Sequence, residues 1–249
     1  MTHFYVKPEN IEKTTFTITD MDEQLHYIYN VRRFKLNDEI MIFDGIGNSY
    51  KAKINYINKN LIMGNILSSS YKIPWFIVKL YVSISKTNRF EWLIEKCVEI
   101  GVSEIILISA KRSTNIIFSK NKLKRYKKIA ITASSQCRRN DIVKINESTD
   151  FKSACENAII EKNLISILLW ENENNSENKT FVNNIFKEKL KYNGINIFIG
   201  PEGGFENEEI EFAKSLGIQT VTLGENILRV ETAAIVATAL TLNYSRIFK

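Results

Sequence analysis

The amino-acid sequence predicts an α/β protein in which helices cover a parallel sheet and a small β-rich domain precedes it. From residue 75 onward, short apolar runs alternate with amphipathic helical patterns, which is the order expected of a parallel sheet with helical crossovers. Residues 1–70 instead hold several strand-like runs and one helical segment. Two glycine-bearing loops, at 200–205 and from 223 onward, each follow an apolar run and each open onto a helical pattern.

The first domain is predicted to cover residues 1–72 and to form a small antiparallel barrel. A Gly-Asn pair separates two of its strand-like runs, a pattern typical of a β-hairpin. Asp20, with Glu23 three residues later, resembles a capping box and predicts a helix to about Phe34. Residues 68–74 are predicted to be a linker. The predicted strands are 3–6, 15–19, 39–45, 49–57 and 61–67.

The second domain is predicted to cover residues 73–249. The run 164–170 is apolar on both faces, as a buried parallel strand should be. Residues 171–180 are polar and are predicted to be a solvated loop. Further strands are predicted at 77–85, 104–109, 195–199 and 219–223, and helices at 90–100, 120–137, 181–190, 206–217 and 231–246.

Composition narrows the class of protein. The chain has 249 residues and is 44% hydrophobic, so it can bury a full core. Its net charge of +6 favours a polyanionic partner, although many lysine-rich proteins bind nothing acidic. Three scattered cysteines and two histidines, without a CxxC pair, predict neither a metal site nor disulfides, and hence a cytoplasmic protein. The amino terminus lacks a signal-peptide core, and the longest apolar helix, 232–242, is too short to span a bilayer.

The loop Gly200-Pro201-Glu202-Gly203-Gly204-Phe205 predicts a ligand site, because ligands of open α/β sheets bind at the carboxyl ends of strands. The loop matches neither a dinucleotide fingerprint nor a P-loop. The next helix begins with acidic residues at 206, 208 and 209, which would repel a phosphate at that helix end. A cationic ligand without phosphate fits better, and S-adenosylmethionine is such a ligand. An ordinary tight turn is the competing interpretation.

The second loop contains Gly224, which permits a turn, and Arg229, which directly precedes an apolar helix. This position predicts that Arg229 has a defined partner. The competing interpretation is a surface arginine that pairs with Glu225 or Glu231.

Residues 111–140 hold ten basic residues and no acidic one, which favours attraction to a phosphate backbone. A solvated helix face is the alternative. Arg32, Arg33 and Lys35 form a smaller basic cluster in the first domain. No cysteine or serine lies in a nucleophile motif, and His26 is predicted to make a structural hydrogen bond. The chemistry is therefore predicted to need no covalent protein intermediate.

Taken together, these residues resemble the RsmE family, which belongs to the SPOUT class and methylates N3 of a uridine in 16S ribosomal RNA. The most specific matches are GPEGGF at 200–205 and LGENILRVETA at 223–233. Upstream matches are Lys86 with Arg89, Glu91 and Trp92; Gln136, Cys137, Arg139 and Asn140; and His26, Val31, Arg33, Asp38 and Phe43-Asp44-Gly45. The chain departs from the family pattern at Asn37, Ser135, Asn226 and Val230.

The resemblance implies a PUA-like barrel for RNA contact, a parallel sheet with a carboxyl-terminal trefoil knot, and a homodimer. It also implies S-adenosylmethionine as cofactor, held by three loops. The implied cofactor-binding residues are Leu168, Leu169, Gly200, Glu202, Gly203, Gly204, Leu223, Gly224, Ile227, Leu228, Arg229, Thr232 and Ala233.

For the reaction, Arg229 is expected to stabilise negative charge on the uracil carbonyls, and Glu202 or Glu231 to accept the N3 proton. The implied partner is 16S rRNA or the 30S particle. Two alternatives stay open: a SPOUT enzyme acting on another RNA, such as a tRNA ribose, and a non-catalytic RNA-binding assembly factor. The predicted RNA-binding residues are Arg33, Lys86, Arg89, Arg112, Lys124, Arg125, Lys127, Lys128 and Arg139.

Overall fold

The computed structural model describes residues 3–19, 23–83, 89–113, 119–171 and 192–247. The chain divides into two compact units. The first unit contains residues 1–73 and 131–142, and the second contains residues 74–130 and 143–249. The predicted boundary between residues 72 and 73 stays a prediction, because the segment 131–142 groups with the first unit although it is distant in sequence.

The first unit is built on a curled, five-stranded half-barrel with the strand order β1-β3-β4-β5-β2. The predicted hairpin is confirmed: β3 and β4 pair antiparallel, with Phe43 opposite Ser49. The pairing of β1 with β3 is parallel, so the expectation of an entirely antiparallel barrel is wrong at this edge. The strands are β1 (His3–Tyr5), β2 (Thr15–Thr19), β3 (Glu39–Phe43), β4 (Asn48–Ile57) and β5 (Leu61–Tyr71).

A short helix, α1 (Glu23–His26), follows β2 and continues as a π-helical turn over Tyr27–Val31. It ends before the predicted Phe34, and the predicted cap at Asp20 lies outside the described residues. Ile28 on this turn is fully buried against the inner face of the half-barrel. Asn37 has φ +72°, a left-handed conformation that asparagine tolerates better than most residues.

Strand β5 is longer than predicted. Residues 68–71, expected to be a linker, pair with β4, where Ser68 lies opposite Lys51 and Ser70 opposite Ser49. The hydroxyls of Ser49 and Ser70 are 2.9 Å apart and hydrogen bond across the strands. Serine side chains that satisfy each other in this way allow a polar sequence to continue a strand.

The second unit is an all-parallel, six-stranded sheet with the order β11-β9-β10-β6-β7-β8, which confirms the predicted fold class. Strand β8 and helix α4 are additional to the prediction, and the helix predicted at 181–190 lies outside the described residues. The strands are β6 (Ile77–Ser83), β7 (Glu104–Ser109), β8 (Lys144–Asp150), β9 (Leu164–Leu169), β10 (Gly194–Ile199) and β11 (Gln219–Val221). The helices are α2 (Arg89–Ile100), α3 (Lys120–Cys137), α4 (Phe151–Ile160), α5 (Asn207–Ser215) and α6 (Val230–Ile247).

Strand β10 lies inside this sheet and is buried along its whole length, as expected of a strand covered on both faces. Its one polar side chain, Asn196, is fully buried and donates hydrogen bonds to the Ala158 carbonyl at 3.0 Å and to Ser166 Oγ at 3.1 Å. Phe198 stacks on Tyr81 of β6, with 4.4 Å between ring centroids. These contacts join β10 to β9, to β6 and to α4, beneath the edge of the sheet from which the site is built.

Candidate active site

A cavity of about 250 Å³ opens at the carboxyl ends of β9, β10 and β11. These strands are contiguous, since β9 lies between β11 and β10, and the chain leaving each of them forms one wall. The walls are drawn from residues 169–171, 199–205 and 221–233. The cavity therefore lies at the edge where open α/β sheets bind ligands.

Most of the predicted cofactor residues line this cavity; the exceptions are Leu168, Gly203 and Thr232. The side chain of Leu168 is fully buried in the core beneath the sheet edge. The predicted cofactor-binding set omitted other lining residues, which lie within the predicted loops or within two residues of a predicted wall. These residues are Trp170, Glu171, Ile199, Pro201, Phe205, Val221, Thr222, Asn226 and Val230.

The wall after β10 depends on glycine at position 204. Gly204 has φ +69°, and a Cβ at this position would lie 2.6 Å from Oε1 of Glu171, another lining residue. At Gly203 the backbone is not left-handed, and a Cβ would meet the Arg112 side chain at an ordinary 3.4 Å. Phe205 anchors the end of the wall, since it is buried with its ring centroid 5.0 Å from that of Phe151. Of these two glycines, Gly204 is therefore the one whose backbone conformation favours glycine.

A hydrogen-bonded junction fastens the segment after β7 to the start of α5. Glu209 is buried, and its carboxylate accepts from the backbone N–H of Glu206 and from that of Lys111, each at 2.9 Å. The first of these bonds belongs to a capping box between Glu206 and Glu209. Arg112 donates through Nη1 to the Gly203 carbonyl at 2.8 Å and through Nε to Glu206 Oε1 at 2.7 Å. The junction thus holds the carboxyl end of the glycine loop from outside the cavity.

The wall after β11 turns at Gly224, which has φ +146°. The Thr222 hydroxyl stabilises the turn, since it accepts from the Gly224 N–H at 3.2 Å and donates to the Gly224 carbonyl at 2.9 Å. Arg229 lines the cavity with an exposed side chain, and its carbonyl accepts the N–H of Ala233 at 2.8 Å in the first turn of α6. Arg229 therefore brings a cationic side chain to the lining, and its backbone is fixed at the start of α6.

Of the predicted carboxylates, Glu202 lines the cavity together with Arg229, whereas Glu231 lies outside the lining. Glu231 is largely buried and faces Arg89, with 3.7 Å between Oε1 and Nη1. The structure thus brings Glu202 and Arg229 to one cavity, and Glu231 faces Arg89 rather than Arg229, its partner in the competing interpretation. Glu171 adds a further carboxylate to the lining.

Two of the three cysteines, Cys97 and Cys155, are buried, whereas Cys137 is partly exposed. Burial raises the pKa of Cys97 and of Cys155 to about 12, so both thiols stay protonated at neutral pH. Burial lowers the pKa of His3, which lies in the first unit. Within the described ranges, no three His, Cys, Asp or Glu side chains come close enough together to hold a metal ion.

Four arginines predicted to bind RNA make ion pairs within the protein. Arg125 is bidentate to Glu91, at 2.6 Å and 2.8 Å. The Arg139 side chain is only 10% exposed and binds Asp141. Arg89 and Arg112 have the contacts given above. The positive charge of these four guanidinium groups is therefore partly compensated by carboxylates of the protein.

Three lysines predicted to bind RNA, Lys124, Lys127 and Lys128, lie exposed on α3. Arg33 is exposed in the first unit, with φ +54°, and Lys86 lies outside the described residues. The exposed lysines of α3 are therefore the strongest structural candidates for phosphate contacts.

Comparison with known proteins identifies the family. The family described as an RNA methyltransferase domain matches residues 73–242, and an RNA methyltransferase PUA domain matches residues 21–67. Ribosomal RNA small subunit methyltransferase E of Mesomycoplasma hyopneumoniae is 36% identical, over 94% of this chain and 96% of its own. The protein of the same name from Buchnera aphidicola is 34% identical, over 87% and 83%. This chain belongs to the ribosomal RNA small subunit methyltransferase E family.

A solved structure of this family supports the same assignment. Ribosomal RNA small subunit methyltransferase E of Neisseria gonorrhoeae, bound to S-adenosyl methionine, has a TM-score of 0.83 and 27% identity, and the match covers 98% of this chain and 97% of that one. A probable rRNA-methyltransferase from Porphyromonas gingivalis has the same fold, with a TM-score of 0.84 and 23% identity. The resemblance seen in the sequence is confirmed. Within the described residues, none of the helices combines the length and apolar character that crossing a bilayer requires.

Proposed function

We propose that this protein is an S-adenosylmethionine-dependent methyltransferase that methylates N3 of a uridine in 16S ribosomal RNA. The observation that carries the proposal is the three-walled cavity at the carboxyl ends of β9, β10 and β11, in a family whose relatives are named for methylation of small-subunit rRNA. A relative with the same fold binds S-adenosyl methionine.

The chemistry of the lining fits this cofactor. Leu169, Ile199 and Leu228 offer apolar surface for an adenine ring, and the Gly204 turn lets the backbone approach closely. The carboxylates of Glu171 and Glu202 give the lining negative charge, which suits a cofactor with a sulfonium and an ammonium group and no phosphate. When bound, the cofactor supplies an electrophilic methyl group.

The protein's own residues must hold the uracil and manage the N3 proton. Arg229 would stabilise the negative charge that develops on the uracil carbonyls when N3 loses its proton. Glu202 shares the lining with Arg229 and would accept that proton, directly or through water. Glu231 is less suited to this role because it faces Arg89 outside the lining. The walls contribute by fixing the approach of the two reactants, and the target nucleotide must leave its stack to enter.

We also propose a cytoplasmic homodimer that binds 16S rRNA or the 30S particle through the exposed lysines of α3, with the carboxyl-terminal chain forming a trefoil knot. Support for the dimer comes from α6. One side of this helix packs in its own unit, while Ile235, Val236, Ala239 and Leu240 are partly or fully exposed. Such a row of apolar side chains is suited to a second copy of the chain.

The test is a deletion strain complemented with the wild-type gene or with Arg229→Ala, followed by nucleoside mass spectrometry of 16S rRNA. We expect 3-methyluridine to disappear on deletion and to return only with the wild-type gene. Loss of a 2′-O-methyl mark instead would favour a SPOUT enzyme acting on ribose. Calorimetry with S-adenosylmethionine addresses the second alternative, because a non-catalytic assembly factor would release no heat of binding.

A further inference from the structure

Arg112 lies in the basic segment 111–140, yet its surroundings are acidic. Its guanidinium is held by the Gly203 carbonyl and the Glu206 carboxylate. The hydrogen bond with Glu206 raises the pKa of Arg112, and Glu171 and Glu209 favour its charged form further. A phosphate that approached Arg112 would meet these three carboxylates, so the site disfavours a polyanion.

Arg112 is connected to the cavity through one residue, Gly203. Its methylene groups pass 3.4 Å from where a Cβ of Gly203 would lie, and its Nη1 binds the carbonyl of the same residue. Gly203 lies between two lining residues, Glu202 and Gly204. A shift of the Gly203 carbonyl would therefore move the backbone of both.

Resting on the cofactor assigned under the proposed function, we infer that Arg112 is a positioning residue for cofactor binding rather than a phosphate contact. It holds the glycine loop in its binding conformation by joining the Gly203 carbonyl to Glu206 at the start of α5. Arg112 itself does not line the cavity, so it acts through the loop. The neighbouring Lys111 offers a matched control, since its ammonium pairs with Glu208.

The experiment measures S-adenosylmethionine affinity by calorimetry, and the salt dependence of binding to a 16S rRNA fragment, for the wild type, Arg112→Gln, Arg112→Lys and Lys111→Gln. We expect Arg112→Gln to raise the cofactor Kd about fivefold or more, since a fivefold change corresponds to the net contribution of one typical hydrogen bond. Arg112→Lys should give an intermediate Kd, since it keeps the charge but not the two-pronged geometry. Lys111→Gln, which makes the same charge change, should leave Kd unchanged.

A double-mutant cycle tests whether Arg112 and Glu206 affect cofactor binding through the same loop. In a Glu206→Gln background, Arg112→Gln should raise Kd less than in the wild type, because the two side chains act on the same loop. A wild-type Kd in folded Arg112→Gln would overturn the inference. So would a salt slope lowered by about one without a change in Kd, the signature of a lost phosphate contact. Absence of binding to the wild-type protein would instead refute the proposed function itself.

Discussion

Replacing Gly204 with alanine tests the assignment of the glycine loop. At φ +69° a residue with a Cβ is strained by roughly 1–2 kcal/mol. The new Cβ would also lie 2.6 Å from Oε1 of Glu171, so that lining carboxylate must move. If the loop keeps its conformation, the strain lowers the free energy of unfolding. If the loop instead relaxes in the free protein, cofactor binding must restore the strained conformation. That energetic cost raises the cofactor Kd by roughly 5- to 30-fold.

Gly217, which follows α5, supplies the control. It has φ +82°, and a Cβ there would have no neighbour within 4 Å. Gly217→Ala should therefore cost about 1–2 kcal/mol of stability without changing cofactor affinity. Urea unfolding and calorimetry on both variants measure the two quantities. The reasoning would be refuted if Gly204→Ala kept both wild-type stability and wild-type affinity.

Three further predictions concern the rest of the molecule. Lys124, Lys127 and Lys128 lie exposed on α3. Replacing them with glutamate should reduce the slope of log affinity for RNA against log salt concentration by up to about three. An unchanged slope in a filter-binding assay would exclude that surface. Ala239 lies on the exposed side of α6, so Ala239→Arg should sediment as a folded monomer. Ala237→Arg should instead unfold the chain, because Ala237 is fully buried. A dimeric Ala239→Arg protein would place the interface elsewhere. In a Cys137→Ser background, the buried thiols of Cys97 and Cys155 should resist alkylation of the native protein at pH 8. Burial raises their pKa from 9.0 to about 12, so the free energy of unfolding should fall as the pH rises from 9 towards 12. Rapid labelling of the native protein, or a free energy of unfolding that is constant over that pH range, would contradict the burial argument.

The sequence predicted most elements of the sheet because their hydrophobic patterns are unambiguous. The α3 helix has the predicted bounds of 120–137, and β10 differs by one residue. The β8–α4 pair was missed for a physical reason. Strand β8 is an edge strand with the sequence KINESTD and only Ile145 buried, so neither a continuous apolar run nor a clear alternation marks it.

The site could be located from the sequence but not resolved in detail. Glycines at 200, 203 and 204 look alike in a sequence, and only the backbone angles show that position 204 requires one. Similarly, the positive charges of Arg112 and Arg139 are evident in the sequence, whereas their partners Glu206 and Asp141 are set by tertiary contacts. The sequence therefore shows where positive charge is concentrated but not which arginines already pair with carboxylates.

The two hydrogen bonds accepted by Glu209 couple the start of α5 to the segment after β7. One carboxylate holds the amides of Lys111 and Glu206, and Lys111 is 98 residues away in sequence. If Glu209 moves away, both amides lose their acceptor at the same time. The segment after β7 and the start of α5 should therefore behave as one cooperative unit in native-state hydrogen exchange. Cofactor binding should then slow exchange at Lys111, a residue outside the cavity, as much as at Glu206.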